Sequence, residues 1–292
     1  MLFRSIVEPS EGLTDPAALP LLEEGDLPVR IIRDDAVFST VCMGMGWMGV
    51  VYAMTLRVAP RYWLHQVRRL QPLHSVLPLL NSLVHQHRCC ELAVSPVPCW
   101  QEDGTYDHSC LVTTRDAVPP GTSPFWPGGG AMGIFDQFLR ENPVSGTHLL
   151  AEVLEDIVRR PNIGAFLHQV LASLRTEGFA SAVPNVLILR YGNHVHVKSC
   201  ELMVPYHHTL TAMQRLLARL RLISHDETVR HIPNAPIGIR FVASTPGPLS
   251  PFCWDEGGPT TTLEVPLLLD PVEDGGSEEH TSELQSPCNL VC

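Results

Sequence analysis

Three glycines in six positions, Gly44-Met45-Gly46-Trp47-Met48-Gly49, interrupt a stretch that carries no charged residue from Ala36 to Leu56. An apolar run of roughly 20 residues is long enough to cross a bilayer as one helix. Glycine inside a helix costs about 1 kcal/mol relative to alanine, so three so close together break such a rod. The flanks decide what replaces it. Asp34 and Asp35 put acid at the positive end of a short helix expected over Ala36–Met43. Val50–Val58 is β-branched and aromatic, which predicts a strand stopped by Pro60.

The turn admits three readings. Residues 44–49 match G-x-G-x-x-G literally, but a dinucleotide fold needs a strand before that turn and a helix after it. Here the order is reversed, and Arg68 and Arg69 stand where an acidic ribose partner belongs. A membrane segment at 36–56 is the second reading. Acid flanks one side, and no basic cluster flanks the other. The third is a buried turn facing a cofactor. Lacking Cβ, glycine lets main chain lie against a flat ring, and the strand after it can offer N–H and C=O groups to a heteroaromatic edge. A tight core turn without any ligand satisfies the same residues.

The two ends stand apart from the rest. Ser277–Ser286 translates, codon for codon, part of a short-read library adapter, and Leu290–Cys292 continues it. Leu2–Ser5 matches the other side of the same reagent. Residues 1–5 and 277–292 are therefore expected to be adapter-derived and are set aside from the fold. About 270 residues remain, enough for one large domain or two ordinary ones. The chain carries 31 acidic against 20 basic residues, net −11, which argues against nucleic acid as a main partner. Cys89 and Cys90 are adjacent and no C-x-x-C occurs. That is neither a disulfide framework nor a zinc ribbon, and reduced thiols fit a cytoplasmic protein.

Residues 6–34 are rich in proline and glycine and read as loop with short extended pieces. Strands are expected at 62–70, 91–97, 110–114, 186–189, 194–204, 237–243 and 261–268. Helices are expected at 73–87 despite Pro78, across much of 134–176, and at 210–222 with Arg215, Arg219 and Arg221 on the wet side. Residues 116–133 read as a surface loop. The sum is a mixed α+β chain, too irregular in order for a doubly wound parallel sheet.

Phe38, Val41, Met43, Gly44, Gly46, Gly49, Val50, Val51, Met54, Thr55, Leu56, Arg57, Val58 and Pro60, in that spacing, resemble the end of the FAD-binding domain in the vanillyl-alcohol oxidase/p-cresol methylhydroxylase (PCMH-type) superfamily. Glu201-Leu202-Met203-Val204-Pro205 is similar to the Glu-Tyr-x-Val-Pro segment of its sugar-lactone and alditol oxidases. Ile239-Arg240-Phe241-Val242-Ala243, followed by Leu249-Ser250-Pro251, resembles their strand carrying a substrate-site arginine. The matches keep the family's order over about 35–276. The resemblance implies a remnant of a PCMH-type flavin domain at 6–62 and a mixed α+β substrate or cap domain at 63–276. It implies FAD as cofactor, held in part by Gly44, Gly46, Gly49, Val50 and Val51. Arg240 becomes a catalytic candidate and Ser250 a substrate-binding one. The activity implied is removal of hydride from a CH–OH group of a sugar lactone, alditol or related alcohol, with oxygen or another acceptor. Gly238 stands where the family strand usually carries Glu. The segments that would bear the pyrophosphate loop, the flavin-linked histidine and the C-terminal His-x-Gly-Lys-type residues have no counterpart here.

From the residues alone, Arg240 is either a salt-bridged structural residue or a ligand anchor, because a buried guanidinium demands an acceptor. As a site residue it could orient a substrate hydroxyl or stabilise a developing alkoxide. His194-x-His196, His207–His208 and His85-x-His87 lack a third ligand and read as exposed residues, so no metal is expected. Trp47 and Trp63 read as core or cofactor-shielding residues.

Overall fold

The computed structural model describes residues 4–15, 17, 29–44, 47–122, 163–183, 186, 197–224, 234–245, 247, 249–254 and 257–268. The chain is mixed α+β and divides into two compact units. One comprises residues 1–58 and 243–259, the other 59–242 and 260–292. The 243–259 excursion thus groups with the N-terminal segment, not with the strands that flank it.

The first unit opens with β1 (Arg4–Glu8), paired in parallel with β2 (Val29–Arg33), in a region expected to be mostly loop. Helix α1 (Asp35–Cys42) follows, as the two aspartates predict. Asp34 caps it by accepting from Val37 N, which satisfies one orphan donor of the first turn. Asp35 accepts from Ser10 N and Ser10 Oγ and so ties the loop after β1 to the helix.

Glu8 organises the rest of this unit. One carboxylate oxygen accepts from Arg33 Nε at 2.7 Å, and the other accepts from Leu13 N and Thr14 N. Arg33, with these amides, holds the Glu8 carboxyl down at about 2, against an ordinary 4.5. The folded value lies below the unfolded one. The interaction therefore stabilises fully above pH 4.5 and is lost as the pH falls from 4.5 towards 2. In an NMR titration the Leu13 and Thr14 amide protons are expected to shift with a midpoint near 2. A midpoint at the ordinary carboxyl value would remove Glu8 from this role.

Past α1 the expectations fail. Residues 50–61 form no strand, although their composition predicted one over Val50–Val58. β-propensity measures fit to a pleated, half-buried surface and does not by itself hold a backbone extended. No described residue pairs with this segment, and its side chains stand in solvent, with Val50 98% and Tyr52 99% exposed. Trp47, expected in a core or shielding a cofactor, is likewise exposed, whereas Trp63 is half-buried. The membrane segment at 36–56 does not form, since α1 ends at Cys42. Among the described residues no helix is long and apolar enough to cross a membrane. No helix opens after Gly49 either, so the dinucleotide-type turn lacks its helix N-terminus.

The second unit is built on a seven-stranded sheet in the order β8-β3-β7-β4-β10-β11-β9, antiparallel at every pairing. The strands are β3 (Trp63–Pro72), β4 (Cys89–Val94), β7 (Ser109–Val118), β8 (Thr176–Ala182), β9 (Val197–Pro205), β10 (Ile237–Val242) and β11 (Thr260–Leu268). A two-residue pair, β5 (Cys99–Trp100) with β6 (Tyr106–Asp107), lies between β4 and β7 in sequence. The helix expected at 73–87 is broken as Pro78 dictates. It runs as α2 (Leu73–Val76), a 3₁₀ turn (Leu77–Leu79) and α3 (Leu80–Gln86). Helix α4 (Ile163–Ser173) is the described part of the long helical region, and Thr176, placed inside that region, starts β8. Helix α5 (Thr209–Ser224) exposes Arg215, Arg219 and Arg221 as its periodicity predicts. The strand expected at 186–189 lies outside the described residues apart from Val186.

Period-two alternation sorts the sheet into two faces. Cys90, Leu92, Val94, Cys110, Val112, Ile237, Ile239 and Leu263 point one way. They pack against Leu73, Val76 and Leu80 of α2 and α3 and Met213 and Leu220 of α5, forming the core. The seven described cysteines are free thiols, and burial pushes the Cys90 thiol up to about 12.

Candidate functional site

The opposite face of the same sheet is mixed: the apolar Leu64 and Leu111 are buried on it, and a run of polar side chains lies beside them. Residues one position out of phase with the core fall on it: Gln66 and Arg68 from β3, Arg115 from β7, Glu91 from β4, Arg240 from β10, Thr262 and Glu264 from β11, Glu201 from β9. Arg240 sits at the middle of an acidic group. Its NH2 bonds Glu264 Oε2 at 2.9 Å, its Nε lies 3.5 Å from Glu91 Oε1, and its NH1 lies 4.0 Å from Glu201 Oε1. Glu91 is shared, because its other oxygen accepts from Arg115 NH1 at 3.0 Å. Arg115 Nε in turn donates to Gln66 Oε1 at 2.8 Å. A chain of two arginines and three glutamates, with Gln66 at one end, thus crosses from β3 to β9. The side chains are half-buried, with Arg240 35% exposed, so the ion pairs are screened less than surface pairs.

Gly238 is the register partner of Glu264, and a Cβ on it would lie 3.5 Å from Glu264 Oε2, an ordinary van der Waals contact. The Glu264 carboxylate therefore lies over β10 where it bonds Arg240, with room for a small side chain beneath it. Around Arg240 two polar atoms are buried without a hydrogen-bond partner among the described residues: Glu201 Oε1, which has only the 4.0 Å ion pair to Arg240, and Thr262 Oγ1. Thr262 is the cross-strand partner of Arg240 and is almost wholly buried. An unsatisfied buried hydroxyl costs about 1–3 kcal/mol, which marks this part of the face as under-satisfied.

The other expected site residues lie in the first unit. Gly44 is closed, since a Cβ there would meet Met48 Cγ at 2.9 Å and Thr40 O at 3.2 Å. Gly46 lies outside the described residues. Gly49 takes φ +110°, a conformation that favours glycine, and a Cβ there would meet nothing within 4 Å. Val50 and Val51 are exposed. The buried turn expected here is therefore not formed: residues 47–51 stand in solvent, and main chain at Gly49–Val51 is accessible without a surrounding wall. That main chain fits a ring edge of FAD and no more, and none of these residues carries charge for a pyrophosphate. Ser250 is buried in the 243–259 excursion. Its Oγ accepts from Phe252 N at 3.2 Å, and its amide donates to Gly247 O. Gly247 packs on α1, where a Cβ would lie 3.1 Å from Ser39 O and 3.5 Å from Met43 Cγ. The excursion bearing Ser250 therefore rests against the helix that leads into the glycine turn.

Among the described residues no three metal-ligating side chains come together. His87 bonds Asp116, His85 packs edge-on to Tyr206, and the exposed His207 and His208 rings lie 4.0 Å apart. His194 and His196 lie outside the described residues. One pair escaped the sequence reading: Ser109 Oγ lies 2.8 Å from His168 Nδ1. Ser109 is fully buried, and its hydroxyl is also bonded by Gln101, so the pair fastens α4 to the sheet instead of presenting a nucleophile. A scan against protein-family models and a search of curated proteins each found no match to this chain.

Proposed function

We propose that this chain is part of an FAD-dependent oxidase that takes hydride from a CH–OH group of a sugar lactone, alditol or related alcohol. The observation that carries the reading is the environment of Arg240: a guanidinium on a half-buried sheet face, ringed by carboxylates, beside Thr262 Oγ1 and Glu201 Oε1, buried without a hydrogen bond among the described residues. Donors and acceptors alternate there, two guanidiniums against three carboxylates, which suits a polyhydroxylated ligand better than an anionic one. Glu264, reaching across Gly238, supplies the carboxylate that the resembled strand carries in its own sequence. Arg240 would orient the reacting hydroxyl and stabilise negative charge developing on its oxygen. Bound FAD would accept the hydride and pass electrons to oxygen or another acceptor. Gly49, Val50 and Val51 would offer main chain to its ring.

The test is the flavin absorption of protein made from the uninterrupted gene. A yellow protein, bleached by a sugar lactone or alditol under anaerobic conditions, is the expected result, and a colourless one ends the proposal. Residues 6–276 alone are expected to retain little FAD through gel filtration, because the contacts they supply are to the ring and not to the pyrophosphate.

A further inference from the structure

At one end of the same sheet the β8–β3 ladder stops early. Pairing runs from Trp63↔Ala182 to Arg68↔Thr176, with a register shift between Gln66 and Arg68. Beyond Arg68 the β3 edge has no partner strand on that side among the described residues. The gap is an open cleft of about 650 Å³ lined by Arg68, Arg69, Leu70, Gln71, Arg175 and Thr176. Ligand pockets run from about 300 to 1,000 Å³, so the size suits a small metabolite.

Its chemistry is unusual for this protein. The chain is acidic, with 31 Asp and Glu against 20 Lys and Arg, yet among the described residues three of the six that line the cleft are arginines and none is acidic. Two buried polar atoms of the lining, Arg68 Nε and Thr176 Oγ1, have no hydrogen-bond partner among the described residues. Arg68 also lies near the positive charge of Arg115. Burial first, and that charge second, push its pKa down, against the pull of Glu91. Arg68 Nε and Thr176 Oγ1 are closed to solvent, so the groups that an anion in the cleft would meet are the accessible guanidinium ends, where its charge would offset the crowding of positive charge. One carboxylate competes nearby: the exposed Glu102 lies 3.4 Å from Arg175 NH1. Such an exposed pair contributes little, and Arg175 can leave it for a better acceptor.

We propose that this cleft binds a phosphate-bearing small molecule. The guanidinium fork matches two phosphate oxygens at once, which an ammonium or a single hydroxyl does not. The cleft shares Arg68 with the polar run on that sheet face but uses none of Arg240, Glu201, Thr262 and Glu264, on which the flavin reading rests.

The experiment is isothermal titration of inorganic pyrophosphate into the full 292-residue chain, with ionic strength held constant by sodium chloride. Saturable one-to-one binding is expected for the unaltered protein. Arg69 and Arg175 are exposed, so Arg69→Gln/Arg175→Gln should fold normally, as circular dichroism can check, and bind at least tenfold more weakly. Glu102→Gln should bind about two- to threefold more tightly, by releasing Arg175. No saturable binding, or equal affinity in the arginine double variant, overturns the proposal. The flavin reading would survive either result, since its own test is flavin absorption.

Discussion

Replacing Arg240 with methionine is expected to destabilise the second unit by about 2–4 kcal/mol, because it leaves Glu264, Glu91 and Glu201 facing one another on a half-buried face. Removing one partner of a buried ion pair strands the other charges, and here three carboxylates lose a common counterion. Arg115 still holds Glu91 at 3.0 Å, so Glu264 bears most of the loss. Two companion variants separate the parts. Arg240→Met/Glu264→Gln should recover at least about 1 kcal/mol in a double-mutant cycle read by urea denaturation. A cycle that closes to zero would deny any coupling between the two residues. Arg240→Lys keeps the charge but loses the planar fork, so it should keep most of the stability. On the proposed oxidase reading, however, the same lysine should lower kcat/KM for a sugar lactone or alditol by about 100-fold, the scale on which removal of one preorganised donor acts. A lysine variant with unchanged kcat/KM and a methionine variant that merely unfolds would make Arg240 a structural residue alone, the other reading its sequence context allows.

Much of the second unit was legible because its signals are local. Leu92 and Val94, or Ile237 and Ile239, alternate with residues that face the polar side, and such alternation reads directly as half-buried strand. The pairing of the strands near 91–97 and 110–114, and the wet arginines of α5, follow from the same periodicities. What failed depended on partners distant in sequence. Val50–Val58 has strand composition, but pairing decides whether a strand exists, and nothing in nine residues tells whether a partner stands beside them. β8 was missed because Thr176–Ala182 carries glycine and alanine, weak in β-propensity, and is held by its ladder to β3. The position of Arg240 in its strand was readable, but its partners were not. Glu91, Glu201 and Glu264 lie on three different strands, and only the sheet register brings them within reach of one guanidinium. Gly238 was legible only as an absent side chain, and its register against Glu264 appears only in the sheet.

The core carries the second large effect. Leu92 is fully buried in β4, with Val112 and Ile239 as its cross-strand partners on the two sides. The helices α2, α3 and α5 cover that face. Leu92→Ala is expected to cost about 3–4 kcal/mol, within the range measured when buried leucines are truncated. The upper part of that range applies because both neighbours are fixed by strand hydrogen bonds, so the backbone cannot close the cavity. Adjacent residues in the broken helix provide the control. Leu80 is 4% exposed and belongs to the core, whereas Leu79, one position earlier, is 52% exposed. Leu80→Ala should therefore cost about 2–3 kcal/mol, and Leu79→Ala no more than about 0.5 kcal/mol. Urea midpoints of the three variants, with unchanged slopes, are the measurement. The ordering Leu92 ≥ Leu80 ≫ Leu79 is what this sheet and these helices require. Similar costs at Leu79 and Leu80 would mean that the chain bends at Pro78 differently and presents another face to the strands. A Leu92 variant as stable as the unaltered protein would mean that β4 does not lie between β7 and β10. The carboxylate of Glu91, one residue away, would then have no reason to meet Arg240.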